Sequence, residues 1–150
     1  KKTEDETLEK NLKAKMESLV EVQQTFQAVI DTGAGEWGLA SAVVLGKAYE
    51  NMGESLMTAD HPFYLTEEQL ELYRMGIEDK AYVQEEKAVN TYQFALGKSF
   101  ELTLYNENTE FSTRRLGELR PDDFPGLEEA LLDARYTSSK VRLFDPETSL

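Results

Sequence analysis

The chain contains no cysteine and only one histidine. The missing thiols exclude disulfides, zinc–thiolate sites and cysteine nucleophiles. His61 and its neighbour Asp60 cannot complete a metal site, which needs several His, Cys, Asp or Glu ligands. The serines lack a nearby histidine, adjacent carboxylates on a helix point in different directions, and no glycine-rich phosphate loop is present. We therefore expect no metal, no cofactor, no catalytic residue and no enzymatic activity.

Basic residues and long apolar runs are also scarce. The 16 lysines and arginines stand against 29 aspartates and glutamates, which gives a formal charge of −13. Such a surface repels a phosphate backbone, so a nucleic-acid partner is not expected. No stretch reaches the ~20 apolar residues of a membrane span, so membrane insertion is not expected either. Hydrophobic residues make up 40% of the 150-residue chain, which suits one globular domain.

The four prolines and nine glycines leave room for long helices. Neither residue type occurs from Thr3 to Asp31, where apolar residues recur at spacings of three and four. This pattern predicts one amphipathic helix with Thr3 as its N-cap. Its apolar stripe comprises Leu8, Leu12, Met16, Leu19, Val22, Phe26, Val29 and Ile30. The stripe is too short for four heptads, which favours packing on the next helix over a coiled coil.

The second predicted helix, Trp37 to Met57, is apolar on more than one face. A helix of that kind is sandwiched between neighbours, so we expect Trp37 and Val44 to pack inward with the rest. Glycine costs roughly 1 kcal/mol relative to alanine in a helix interior. We therefore expect Gly46 in this helix, and Gly97 further along the chain, to lie where two helices touch closely.

A capping box formed by Thr66 and Gln69 predicts the start of a third helix, with Leu72 on its packing side. The stretch 84–104 continues the helical pattern, with Phe100 inward. No strong breaker separates the two segments, so the pattern fits either two helices or one helix of nearly forty residues.

Asn106 is the predicted N-cap of a fifth helix, which Pro121 ends. A short sixth helix begins at Pro125. The sequence thus predicts an all-α protein of about six helices. They form one helical domain over residues 1–136, followed by an extended or partly ordered tail at 137–150.

Two short stretches repeat each other, residues 45–50 (LGKAYE) and 96–101 (LGKSFE). With Pro121, 25 residues after the second leucine, they resemble the 34-residue tetratricopeptide repeat and its Leu-Gly, aromatic and proline signature. The copies are 51 residues apart, and Ala42 and Gln93 occupy the tryptophan position of that signature. The whole arrangement is similar to the C-terminal parts of large myxobacterial repeat proteins of the cell envelope and gliding motility machinery.

The resemblance implies antiparallel helix pairs stacked in a right-handed superhelix, with a groove that binds a partner peptide or helix. Carried over position by position, the groove is lined by Val43, Lys47, Glu50, Asn51, Phe94, Lys98, Glu101 and Leu102. The two lysines are expected on one face, where they would anchor an anionic group of the partner. The alternative for them is ordinary i,i+3 pairing with the two glutamates. The resemblance also implies the periplasm or cell envelope, while the residues alone leave the compartment open.

Two functions of different classes follow from these patterns. The first is a non-enzymatic protein–protein interaction scaffold, a module of a larger assembly that binds a partner protein. The alternative is a self-associating structural bundle, a homo-oligomer in which the first helix pairs with its copy in another chain. The residues do not identify the partner.

Overall fold

The computed structural model describes residues 2–62 and 64–125, and all regular secondary structure in this part is helical. Four helices account for 83% of it. They are α1 (Lys2–Asp31), α2 (Gly35–Thr58), α3 (Glu67–Leu102) and α4 (Glu107–Leu119). The prediction of an all-α fold is confirmed for these residues. None of the described helices is both long and apolar enough to cross a membrane.

The number of helices differs from the predicted six. The third and fourth predicted helices are one helix of 36 residues, α3. It contains no proline, and each of its glycines costs only about 1 kcal/mol, so nothing in the segment breaks it. The fifth predicted helix is α4. The predicted sixth helix from Pro125 and the predicted tail at 137–150 lie outside the described residues.

The predicted N-cap at Thr3 is wrong, because α1 already begins at Lys2 and Thr3 lies inside it. The caps predicted at Thr66 and Asn106 are confirmed. The amide of Gln69 donates to Thr66 Oγ1 at 3.3 Å, and the amide of Thr66 donates to Gln69 Oε1 at 3.1 Å. At the start of α4, Asn106 Oδ1 accepts hydrogen bonds from the backbone amides of Asn108 and Thr109, at 3.0 and 3.3 Å. Gly33, with φ of +69°, ends α1 in the left-handed conformation that favours glycine.

α2 is the central helix, since it packs against all three others. It is antiparallel to α1, where Lys15 Nζ donates to Ser55 Oγ, and to α3, where Gly53 lies beside Ala81. Nine α2 residues are buried, whereas no described α1 side chain is fully buried. The described helices form a bundle around α2 and not the superhelix expected from the repeat resemblance.

The core lies between α2, α3 and the inner side of α4. It comprises Leu39, Ala42, Val43, Leu45, Tyr49, Met52, Leu56, Ala81, Ala88, Val89, Tyr92, Ala95 and Leu116. Five apolar residues expected to pack inward are instead exposed: Met16, Trp37, at 73%, Val44, Leu72 and Phe100. Trp37 lies in the first turn of α2, which is level with the ends of α1 and α3. Leu72 lies in the first turns of α3, which extend past the end of α2. Phe100 packs edge-on against the exposed Tyr105 ring.

Gly46 and Gly97 occupy the same place in the two repeated stretches and have different surroundings. A Cβ atom at Gly46 would lie 2.7 Å from Cζ of Tyr92, whereas one at Gly97 would meet nothing within 4 Å. The predicted close contact is therefore confirmed for Gly46. It is wrong for Gly97, because this residue lies on the exposed side of α3.

We expect Gly46→Ala to destabilise the fold by ~1–3 kcal/mol, because the added methyl group overpacks the fully buried Tyr92 ring. Gly97→Ala is the matched control. It should leave the free energy of unfolding unchanged or raise it by up to ~1 kcal/mol, since alanine favours the helix. Urea unfolding followed by circular dichroism measures both, and equal midpoints for the two variants would contradict the assigned contact.

Candidate functional site

The four groove residues predicted on α2 lie on the side that packs against α4. Val43 is buried in the core beside Ala95, so a partner cannot reach its side chain. Nζ of Lys47 lies 4.0 Å from the centroid of the Phe111 ring. Lys47, Glu50 and the exposed Asn51 border a hollow of about 370 Å³ between α2 and α4.

Glu50 is the charged centre of this side of the bundle. The Tyr92 hydroxyl donates to its Oε1 at 2.5 Å, and Arg115 donates to its Oε2 from Nε at 2.8 Å and also from Nη2. Arg115 Nη1 donates to Glu118 Oε2 at 2.5 Å. Both Glu50 oxygens therefore bind residues of α3 and α4, which makes this carboxylate a structural group.

Hydrogen bonding sets the protonation states in this network. Burial by itself would raise the pKa of Glu50, but the hydrogen bonds from Arg115 and Tyr92 and the charge of Arg115 hold that pKa below its usual value. The pKa of Tyr92 is raised by burial and by the same bond to Glu50. Hydrogen bonds to Glu50 and Glu118 raise the pKa of Arg115. The ion pair is therefore fully charged at neutral pH.

The four groove residues predicted on α3 form a separate surface. Lys98 Nζ lies 2.5 Å from Glu101 Oε2 and 6.0 Å from the centroid of the Phe94 ring, and Leu102 is exposed nearby. Because α2 and α3 are antiparallel, Lys98 lies roughly 10 Å along the helix axes from Lys47. The ordinary i,i+3 pairing is present at Lys98, whereas Lys47 lies over an aromatic ring. The structure does not bring the two lysines together.

A different concave surface, the cleft, opens between α1 and α3 at the end of the bundle where α2 finishes. It has a volume of about 730 Å³. Its apolar lining comprises Leu8, Leu12, Met16, Met52, Leu56, Pro62, Tyr64, Tyr73, Ile77 and Val83. Its polar lining comprises Glu9, Lys13, Asp79, Lys80 and Gln84.

The cleft exists because the three helices around it differ in length. α1 has 30 residues and α3 has 36, but α2 has only 24. The contacts between the helices show which residues of α1 and α3 lie beside the end of α2. Beyond that point α1 continues for about eight residues and α3 for about ten, or ~12–15 Å. α1 and α3 have no Cα atoms within 8 Å of each other among the described residues, so a gap stays open between these two overhangs.

The sequence patterns identified the cleft residues as packing positions without predicting an opening. Leu8, Leu12, Met16, Tyr73 and Ile77 all belong to stripes whose periodicity indicates burial. The length of these stripes could have indicated the opening. The stripes of the first and third helices are longer than a second helix that ends near Met57 can cover.

A pH prediction follows from the network at Glu50. Its pKa in the folded protein lies below the ordinary value of 4.5, so its stabilisation is fully present above about pH 4.5 and is lost as the pH falls through the folded pKa. We expect Glu50→Gln to cost ~1–2 kcal/mol at pH 7 and clearly less at about pH 3.5. Urea unfolding at the two pH values measures the difference.

Glu54→Gln is the control for this change. Glu54 is one turn further along α2, is exposed, and belongs to none of the ion pairs in the described residues. Its substitution should have a small effect at either pH. A loss of stability for Glu50→Gln that is the same at pH 7 and pH 3.5 would show that the ionised form contributes nothing.

Comparisons with protein-family models, with curated proteins and with solved structures find no match to this chain. The tetratricopeptide resemblance therefore depends only on the motifs quoted from the sequence. Any function for the protein has to come from its own geometry.

Proposed function

We propose that this chain is a non-enzymatic protein–protein interaction module that receives a helix of another chain in the cleft between α1 and α3. The observation that carries the proposal is the apolar lining of an open cleft whose two walls are separate helices. Scaffold proteins commonly bind an amphipathic helix in a groove of this kind.

The packing of α1 supports this role. Its stripe residues Leu12, Leu19, Val22 and Phe26 are only half-buried, because α2 is the only described helix whose backbone lies next to α1. Met16, whose side chain lines the cleft, is 53% exposed, and Val83 on the opposite wall is 49% exposed. Burying apolar surface contributes ~25 cal/mol per Å², so a helix placed between these walls would gain stability from both.

The geometry of the walls favours a helix as the occupant. α1 and α3 are both antiparallel to α2, so they run parallel to each other on either side of the gap. A helix lying on the last turns of α2 would contact both walls at the usual spacing of about 8–10 Å.

The repeat resemblance supports the wider part of the proposal. Tetratricopeptide-like helical pairs serve as modules of larger assemblies, and the motifs that resemble repeat proteins of the envelope and motility machinery favour the periplasm or cell envelope as the compartment of this module. The eight groove residues implied by the resemblance are not part of this site, since the geometry favours the cleft.

The probe for a test is a synthetic amphipathic helix of about 18 residues, with leucines at i, i+3, i+4 and i+7 and a fluorescein label. We expect Met16→Glu to weaken its binding, measured by fluorescence anisotropy, by roughly tenfold or more, about 1.4 kcal/mol, because the new charge lies in the apolar wall.

Val20→Glu is the matched control, since Val20 lies one turn further along α1, is 51% exposed and does not line the cleft. Circular dichroism confirms that both variants keep their helices. Equal affinity of the probe for the two variants, or no binding to the unmodified chain, would refute a helix-binding cleft.

A further inference from the structure

We propose that the chain that fills the cleft is a second copy of this protein. In this twofold dimer the α1 and α3 overhangs of each copy enter the cleft of the other and together form a four-helix bundle. The inference rests on the proposed function, because it names the partner of the same cleft. In this dimer α1 would contact the other copy as well as α2 of its own chain.

The shape of the open end supports a second copy. Each chain contributes two parallel helices that project ~12–15 Å beyond α2 and that turn apolar side chains toward the gap between them. Leu8 projects from one overhang and Tyr73 from the other, and Leu12 and Ile77 lie at the bases of the two overhangs. A twofold axis places the same surface on both sides of an interface, so the surface must complement itself. Two open pairs of helices with equal overhangs meet this condition.

The charges at the cleft also favour a second copy over a partner of opposite charge. Four charged residues line it, namely Glu9 and Asp79 with negative charge and Lys13 and Lys80 with positive charge. Their sum is zero, although the chain as a whole carries −13. A cleft for a basic partner helix would be expected to carry an excess of carboxylates. A surface that meets its own copy has to be locally neutral, because two acidic surfaces repel each other.

The four charges are available for pairing across such an interface. None of them belongs to an ion pair within the described residues. In a twofold arrangement a lysine of one copy can therefore approach a carboxylate of the other. Outside the cleft the net charges of the two copies oppose association, and salt screens that repulsion. The dimer should consequently become tighter as the salt concentration rises, whereas binding of a basic partner would weaken.

The first experiment measures the mass of the full chain by light scattering after size exclusion, over protein concentrations from about 1 to 100 µM. We expect a dimer whose dissociation constant rises at least tenfold in Met16→Glu and in Val83→Glu and stays unchanged in Val20→Glu. The two cleft variants lie on different helices, so the test survives if one of them fails to fold. Dimerisation that is absent, or that all three variants weaken equally, would overturn the inference.

A second experiment separates charge at the cleft from charge in general. Lys13→Glu and Lys87→Glu make the chain acidic to the same extent, and both lysines are exposed, but only Lys13 lines the cleft. We expect Lys13→Glu to weaken the dimer by roughly tenfold or more and Lys87→Glu to weaken it far less. Equal weakening would mean that total charge governs association and would overturn the role of the cleft.

The outcomes distinguish this inference from the proposed function. A chain that stays monomeric and binds the synthetic helix in the cleft keeps its function as an interaction module and loses the second copy as partner. A dimer that the synthetic helix converts to monomer supports both, because the two compete for one surface. A dimer that persists at saturating synthetic helix places the contact between copies elsewhere and overturns the inference.

Discussion

The contact between the Tyr92 ring and Gly46 holds the bundle together. No side chain larger than hydrogen fits at position 46, because the fully buried ring occupies the space that a Cβ atom would need. This contact sets the distance between α2 and α3. It also brings the Tyr92 hydroxyl to Glu50 and the ring to the edge of Phe111, with 5.7 Å between the two ring centroids. One side chain of α3 thus touches both other helices of the closed side.

The opposite end of the bundle lacks a comparable residue. Beyond Thr58 there is no α2 backbone on which α1 and α3 can pack, and Pro62 and Tyr64 of the connection that follows line the gap. The apolar stripes continue along both longer helices regardless. Protein surfaces rarely leave a contiguous apolar patch open unless it binds something. The proposed function therefore lies where the core is incomplete, and the closed side serves as its support.

The distribution of charge agrees with this division. On the closed side two arginines each pair with two carboxylates, Arg115 with Glu50 and Glu118, and Arg120 with Glu85 and Glu86. These ion pairs connect α4 and the residue that follows it to α2 and α3. The cleft has equal numbers of both signs and no such internal pairs. An acidic chain that binds a second copy needs a neutral surface of this kind.

The sequence by itself determined the elements of this protein. The helical class, the capping box at Thr66, the N-cap at Asn106 and the lack of a strong breaker in α3 all depend on residues within about one turn of each other. Periodicity and caps report such local energies directly. The close approach at Gly46 was also predictable, since a glycine inside an apolar helix has a cost that packing can repay.

Only the tertiary structure decided which apolar positions are covered. Gly46 and Gly97 have nearly the same local sequence, yet one meets a buried ring and the other meets solvent. Lys47 and Lys98 likewise lie on separate surfaces because α2 and α3 are antiparallel. The cleft depends on a helix that ends earlier than the two beside it. Whether a residue is buried depends on its neighbours in space. A local sequence pattern indicates which face of a helix can pack, but it does not indicate where the neighbouring helix ends.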